Sequence, residues 1–295
     1  MSEPYVVFTV DGGIGKSIMA TAVISSVKNH YPNHRIVVCS GYPEVFVNNP
    51  DVYRVFRSGS TPYFMEDYLK EDTVVMAADP YQNAGFFHKN EHLIKTWCKT
   101  CDVRCISVCP QLFLTQAELQ TAMVQFRRDR PLFVIQTSGG PTESPLKYSW
   151  ARDLPLNQAQ AVVDAMNNTH HVMHIRHENQ LAMNNCEPVS ASFRELFALI
   201  ALSDKRLLID SFALHAAAAF ELASVVCFVG TSPVVYSYDA NTNLLPKSKG
   251  QFVHGIDKFL EDSPWIGDRM NECPYNTADV FDVSEIINTL SLQGQ

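Results

Sequence analysis

Short runs of consecutive apolar residues recur along the chain, separated by longer stretches in which apolar positions follow a helical repeat. The runs at 5–10, 35–40, 73–78, 132–136, 172–175, 207–209 and 225–229 are rich in β-branched and aromatic residues, so they are predicted to be buried strands. Between the first two lies a stretch with Met19, Val23 and Val27 on one face, the spacing of an amphipathic helix. Further helices are predicted over 91–103, where Leu93, Trp97 and Cys101 keep helical spacing, and from the Thr115/Glu118 capping box to about Phe126. Helices at 156–166 and 193–202 follow, and then an alanine-rich one behind Asp210-Ser211. Strand, helix and strand in this order build parallel sheets with helices on both faces, an α/β chain.

A chain of 295 residues holds two such domains. The pattern breaks at Arg127-Arg128-Asp129-Arg130 before Pro131 and restarts at residue 132, which sets the expected limits at 1–128 and 129–276. Residues 277–295 form a closing helix expected to pack back on the first domain.

A net charge of −8 gives no general attraction to polyphosphate, so a nucleic-acid partner would need a local basic patch. No run is long and apolar enough to cross a bilayer, and no positive amino-terminal segment marks a secretory signal. The expectation is a soluble, cytoplasmic protein without stable membrane insertion, whose eight cysteines are thiols. Cys98, Cys101, Cys105 and Cys109 crowd together; thiolates bind zinc and iron–sulfur clusters, but spacings of 3, 4 and 4 equally describe one helix face.

Candidate chemistry gathers where strands end in small polar residues. Asp11-Gly12-Gly13-Ile14-Gly15-Lys16-Ser17 turns from the first strand into the first helix, and a helix start with exposed amides favours an anion. The word resembles the shortened phosphate-binding loop of the partition and septum-site ATPases, in which Lys16 would reach a phosphate and Ser17 a magnesium ion. That resemblance implies a deviant P-loop ATPase. Those ATPases end their second strand in an aspartate-rich word, whereas Cys39-Ser40-Gly41-Tyr42 stands here. Asp79, before Pro80, ends another strand on the side where ligands sit in such sheets.

The second half offers a different match. Thr137-Ser138-Gly139-Gly140, Lys147-Tyr148-Ser149-Trp150, Asp210-Ser211 with His215 and Ala216 to Ala219, and Phe228-Val229-Gly230-Thr231 follow in the order seen in the heptosyltransferase-type glycosyltransferases, family 9. Tyr31-Pro32-Asn33, Asn49-Pro50-Asp51 and Pro110-Gln111-Leu112-Phe113-Leu114 are similar to words in the same family, so the resemblance spans nearly the whole chain.

That resemblance implies a GT-B architecture, two Rossmann-like domains facing across a cleft. It implies an enzyme that moves a sugar from a nucleotide-sugar donor to a hydroxyl acceptor on a glycan, a glycolipid or a hydroxymethylated DNA base. Thr137, Ser138, Gly139, Lys147, Asp210, Ser211, His215, Gly230 and Thr231 would hold the donor, with Gly12, Gly13 and Gly15 on the acceptor side. No cofactor is expected, and with no Asp-x-Asp pair in the chain transfer is expected to be metal-independent. Inversion requires a general base. The family's glycine loop ends in Gly-Asp, but here Gly15-Lys16 stands, so Asp11 is the first substitute and Asp79 the second, while Lys16 would bind phosphate or an anionic acceptor. A donor-binding protein without turnover is the other alternative.

Overall fold

A computed structural model describes residues 4–59, 61, 63–139, 152–247 and 279–293, together with the backbone of two short strands at 265–266 and 269–270. The chain divides into two compact units, Met1–Thr115 with Ala218–Glu221, and Gln116–Ala217 with Leu222–Gln295. The division falls ahead of the helix Gln116–Phe126 rather than after it. That helix pairs its Glu118 carboxylate with Arg194 at 2.7 Å inside the second unit, so the charged break at 127–130 lies within that unit.

In the first unit, β1 (Tyr5–Val10) leads through a tight turn into α1 (Ile14–His30), followed by β2 (Arg35–Ser40), β3 (Arg54–Arg57), the single-turn α2 (Phe64–Tyr68) and β4 (Val74–Met76). The one-turn α3 (Ala84–Phe87) and α4 (Leu93–Thr100) complete it. The strands form one parallel sheet in the order β3-β2-β1-β4. Val6, Val7, Phe8 and Val10 are all buried, as an inner strand covered on both faces requires. The predicted helical run through the four cysteines is cut short: α4 ends at Thr100. Beyond it the chain follows α1, with the Ile106 N–H donating to Ser26 Oγ and the Gln111 N–H to Thr21 Oγ1. Cys105 and Cys109 therefore sit on a loop, not on a helix face.

The second unit opens with α5 (Gln116–Phe126) and β5 (Leu132–Gln136), then α6 (Leu156–Met166), β6 (His171–Ile175), β7 (Glu187–Val189), α7 (Phe193–Leu202), β8 (Lys205–Ile209) and α8 (Phe212–Ala219). It continues with β9 (Val225–Cys227), the single-turn α9 (Pro233–Tyr236), β10 (Thr242–Leu244), the antiparallel pair β11 (Trp265–Ile266) and β12 (Arg269–Met270), and α10 (Val283–Leu292). Its sheet is parallel, ordered β10-β9-β8-β5-β6-β7. Ser192 and Glu195 form a reciprocal capping box that starts α7.

The closing helix belongs to the second unit. Ile286 and Leu290 of α10 are fully buried in the second unit's own core, with Phe281 just ahead of it and Val162, Val163, Leu207 and Val225. Burying two aliphatic side chains is worth ~1.5–3 kcal/mol each, which decides the placement.

Candidate functional site

Each sheet has one place where the strand order reverses. In the first unit the chain leaves β1 toward β2 on one side and returns as β4 on the other. In the second, β6 and β7 lie to one side of β5, and β8, β9 and β10 to the other. Connections diverge at such a point and leave a crevice at the carboxyl ends of the two strands. Asp11 and Asp79 follow β1 and β4; Thr137 to Gly139 and Asp210-Ser211 follow β5 and β8. Every candidate strand end therefore borders a switch point except Gly230-Thr231, which follows the next strand, β9.

The turn after β1 is only Asp11, Gly12 and Gly13, because α1 already includes Gly15, Lys16 and Ser17 in its first turn. Gly12 has φ +95, a left-handed conformation that favours glycine, and a Cβ there would lie 3.3 Å from the Lys16 Cδ. Asp11 is exposed. Lys16 points inward: its side chain is 8% exposed, and its ammonium donates to Asp79 Oδ1 at 3.0 Å. It also lies 5.2 Å from the centre of the Tyr81 ring and 5.4 Å from that of Trp97, over both faces. Ser17 is fully buried and shares a 3.1 Å hydrogen bond with Ser40 Oγ.

These contacts bear on two expectations. A three-residue turn with its lysine and serine drawn into the protein is no phosphate cradle, so the P-loop ATPase reading is set aside. Lys16, expected to bind phosphate or an anionic acceptor, here pairs with Asp79. The Tyr81 N–H also donates to Asp79 Oδ1, at 3.2 Å, and this caps the 3-10 turn Pro80–Gln82. Both contacts fall on one oxygen, and the Asp79 side chain stays 40% exposed.

At the second switch point the loop after β5 meets the start of α8. The site of a Cβ on Gly139 lies 3.3 Å from Ser211 Oγ and 3.5 Å from its Cβ, so the glycine is what lets the two segments touch. Gln136, the last residue of β5, donates from Nε2 to Ser211 Oγ at 3.1 Å and to the Ser138 carbonyl at 3.3 Å. The Gly139 N–H donates to Asp153 Oδ1, and the Leu154 N–H to the Thr137 carbonyl, which fixes the loop's far end. Thr137 Oγ1 is 2.9 Å from His174 Nε2. Burial, with the Arg176 charge adding to it, holds that imidazole down at about 4, so it is neutral at physiological pH.

Asp210 is 6% exposed and Thr231 fully buried, its hydroxyl without a partner among the described residues. His215 is 2% exposed, with Nδ1 2.8 Å from Tyr238 Oη and the two rings edge to face. Lys147 lies outside the described residues. Sequence reasoning missed Gln136, Asp153 and Tyr238; a polar residue closing an apolar strand, as Gln136 does, is the signal that marks one of them.

The cysteines of the first unit are thiols. Burial pushes Cys98 up to about 12 and Cys101 to about 11. Among the described residues no group of three or more His, Cys, Asp or Glu is arranged to hold a metal ion, and no helix is long and apolar enough to cross a membrane.

No family model matches the chain, and no curated protein matches it by sequence. Solved structures do. The ADP-heptose lipopolysaccharide heptosyltransferase II of E. coli matches with a TM-score of 0.61 at 11% identity, over 88% of this chain and 95% of its own. A family 9 glycosyl transferase from Veillonella parvula matches with 0.64 at 10% identity, over 82% and 85%. The chain shares the fold of these glycosyltransferases. A third match is the dodecameric iron-containing heptosyltransferase TibC of enterotoxigenic E. coli, in complex with ADP-D-β-D-heptose, with 0.66 at 13% identity over 99% of this chain and 77% of that one. The GT-B fold expected from the order of the motifs is the fold found.

Proposed function

We propose that this chain is an inverting, metal-independent glycosyltransferase that moves a sugar from a nucleotide-sugar donor to a hydroxyl acceptor. An ADP-linked heptose or a related sugar is the first donor to test, because ADP-heptose is the ligand named for two proteins that share the fold. The observation that carries the reading is the meeting of the Gly139 loop, Ser211 and the start of α8 at the second unit's switch point. A diphosphate there receives backbone amides, the positive end of a helix dipole and the Ser211 hydroxyl. Thr231 and Lys147 complete the set, Lys147 by neutralising phosphate charge as the leaving group departs.

In the transfer the acceptor oxygen bonds to the anomeric carbon while the bond from that carbon to the diphosphate oxygen breaks. The electron pair leaves with the nucleoside diphosphate, and the acceptor's proton passes to a carboxylate. Asp11 is that base: it is exposed in the turn after β1, whereas Asp79 has one oxygen committed to Lys16 and Tyr81. Base catalysis by a positioned carboxylate contributes ~10²–10⁴-fold.

A thermal-shift panel of ADP-, UDP-, GDP- and CMP-sugars, repeated with Lys147→Ala, tests the donor site. A ligand at about 100 times its Kd stabilises by ~2.7 kcal/mol. A rise in melting temperature with one nucleotide class, reduced in the variant, supports the reading; no rise with any of them contradicts it. Binding without transfer to glycan, glycolipid or hydroxymethylated DNA acceptors would mark a donor-binding protein instead.

A further inference from the structure

The second unit holds a buried polar side chain whose bonding is incomplete. Gln136 is 5% exposed, and its Nε2 donates to both Ser211 Oγ and the Ser138 carbonyl, while Oε1 is buried with no partner among the described residues. The orientation of the amide is decided by chemistry. A carbonyl oxygen can only accept, so the group facing Ser138 must be the NH2 and Oε1 must face away. The same NH2 occupies a lone pair of Ser211 Oγ. The hydroxyl's single hydrogen cannot then be given back to Gln136, and among the described residues nothing accepts it.

We infer that Gln136 is a positioning residue that holds Ser211 as a hydrogen-bond donor aimed out of the start of α8, toward a diphosphate oxygen. This rests on the donor-site reading above and gives it a polarity. Left to itself a serine hydroxyl rotates and can donate or accept with equal ease. With one of its two lone pairs engaged by Gln136 and its hydrogen uncommitted among the described residues, it favours a ligand atom that accepts. A phosphate oxygen qualifies, and the bond is charge-assisted. The site is thus built for an atom that accepts and carries charge, as a diphosphate oxygen does.

The test uses the full chain and isothermal titration with the tightest binder among ADP, UDP, GDP and CDP, then its monophosphate and its nucleoside. Gln136→Met keeps volume and removes both polar atoms; Ser211→Ala removes the hydroxyl. Gln136→Met should weaken the diphosphate about 10-fold, the worth of one charge-assisted bond, and the nucleoside far less. Ser211→Ala should give a similar loss, and the double variant no more than either single one, since both remove the same bond. Gln136→Glu, whose carboxylate takes the Ser211 hydrogen and repels phosphate, should be worse than Met. Equal losses for all three ligands, or losses that add in the double variant, would show a merely structural glutamine and overturn the inference. Unchanged diphosphate binding in Gln136→Met overturns it while leaving the donor site standing. A wild-type chain that binds no nucleotide ends both.

Discussion

The inward Lys16 makes an asymmetric prediction about the first unit. In its pair with Asp79 the cation is the buried partner and the anion the half-exposed one, at 8% and 40% side-chain exposure. Lys16→Met keeps the apolar stem against Tyr81 and Trp97. It gives up an ion pair whose acid is already wet, worth ~1 kcal/mol at most, and replaces the cation–π contacts with a thioether of comparable affinity for the rings. Asp79 is then left in water, at little cost. Asp79→Asn keeps the cap on the Tyr81 N–H but strands an ammonium among aromatic rings. Removing one member of a fully buried pair costs ~3–5 kcal/mol; with the partner half exposed and an amide oxygen still available, ~2 kcal/mol is expected. The neutral pair Lys16→Met with Asp79→Asn should cost no more than Lys16→Met alone. The chain has three tryptophans, so urea melts in a Trp150→Phe, Trp265→Phe background leave Trp97, next to Lys16, as the fluorescent reporter. If Lys16→Met proves the costlier change, the assignment of Lys16 as a buried counter-ion is wrong. If it leaves the melt untouched and weakens nucleotide binding, the phosphate-ligand reading returns.

Other outcomes follow from the site. His174 is held at about 4 in the folded protein, against an ordinary ~6.5 unfolded, so the unfolded chain binds the extra proton between those values. Stability should be complete above about pH 6.5 and fall by up to ~3 kcal/mol as the pH drops to 4, a slope that His174→Gln should flatten in melting-temperature scans. Gly139→Ala places its methyl 3.3 Å from Ser211 Oγ, so calorimetry should show donor affinity falling several-fold for less than ~1 kcal/mol of stability. Asp11→Asn should lower transfer by ~10²-fold or more while donor affinity, measured by titration, stays unchanged. Full activity in that variant would remove Asp11 as the base.

Much of the fold was legible because buried parallel strands are written as unbroken apolar runs, and β1, β2 and β5 appear where those runs lie. Three margin strands were not: Arg54–Arg57 and Glu187–Val189 carry charge, and Thr242–Leu244 is short and polar, whereas the margin strand Val74–Met76 lies within the apolar run at 73–78. Two words of the second half lie together in space, Gly139 against Ser211. The fate of Lys16 could not be read from its own neighbourhood. Its partner Asp79 is 63 positions away, and its aromatic walls come from a turn and a helix beyond that. The serine after it pairs across a strand for the same reason.

The placement of α10 sets a schedule for synthesis. The first unit's sheet and its helices lie within residues 4–115 and can close early, with only Ala218–Glu221 of that unit still to come. The second unit cannot. Its sheet begins at Leu132, yet Val280, Phe281, Ile286 and Leu290, made well after it, pack into its core, and Gln158 bonds Phe281 through both the N–H and the carbonyl. Lys205, at the start of β8, donates to the final carbonyls of α10. Until those residues are in place the second unit carries an open apolar sheet face, so removing residues 279–293 should leave that unit aggregation-prone.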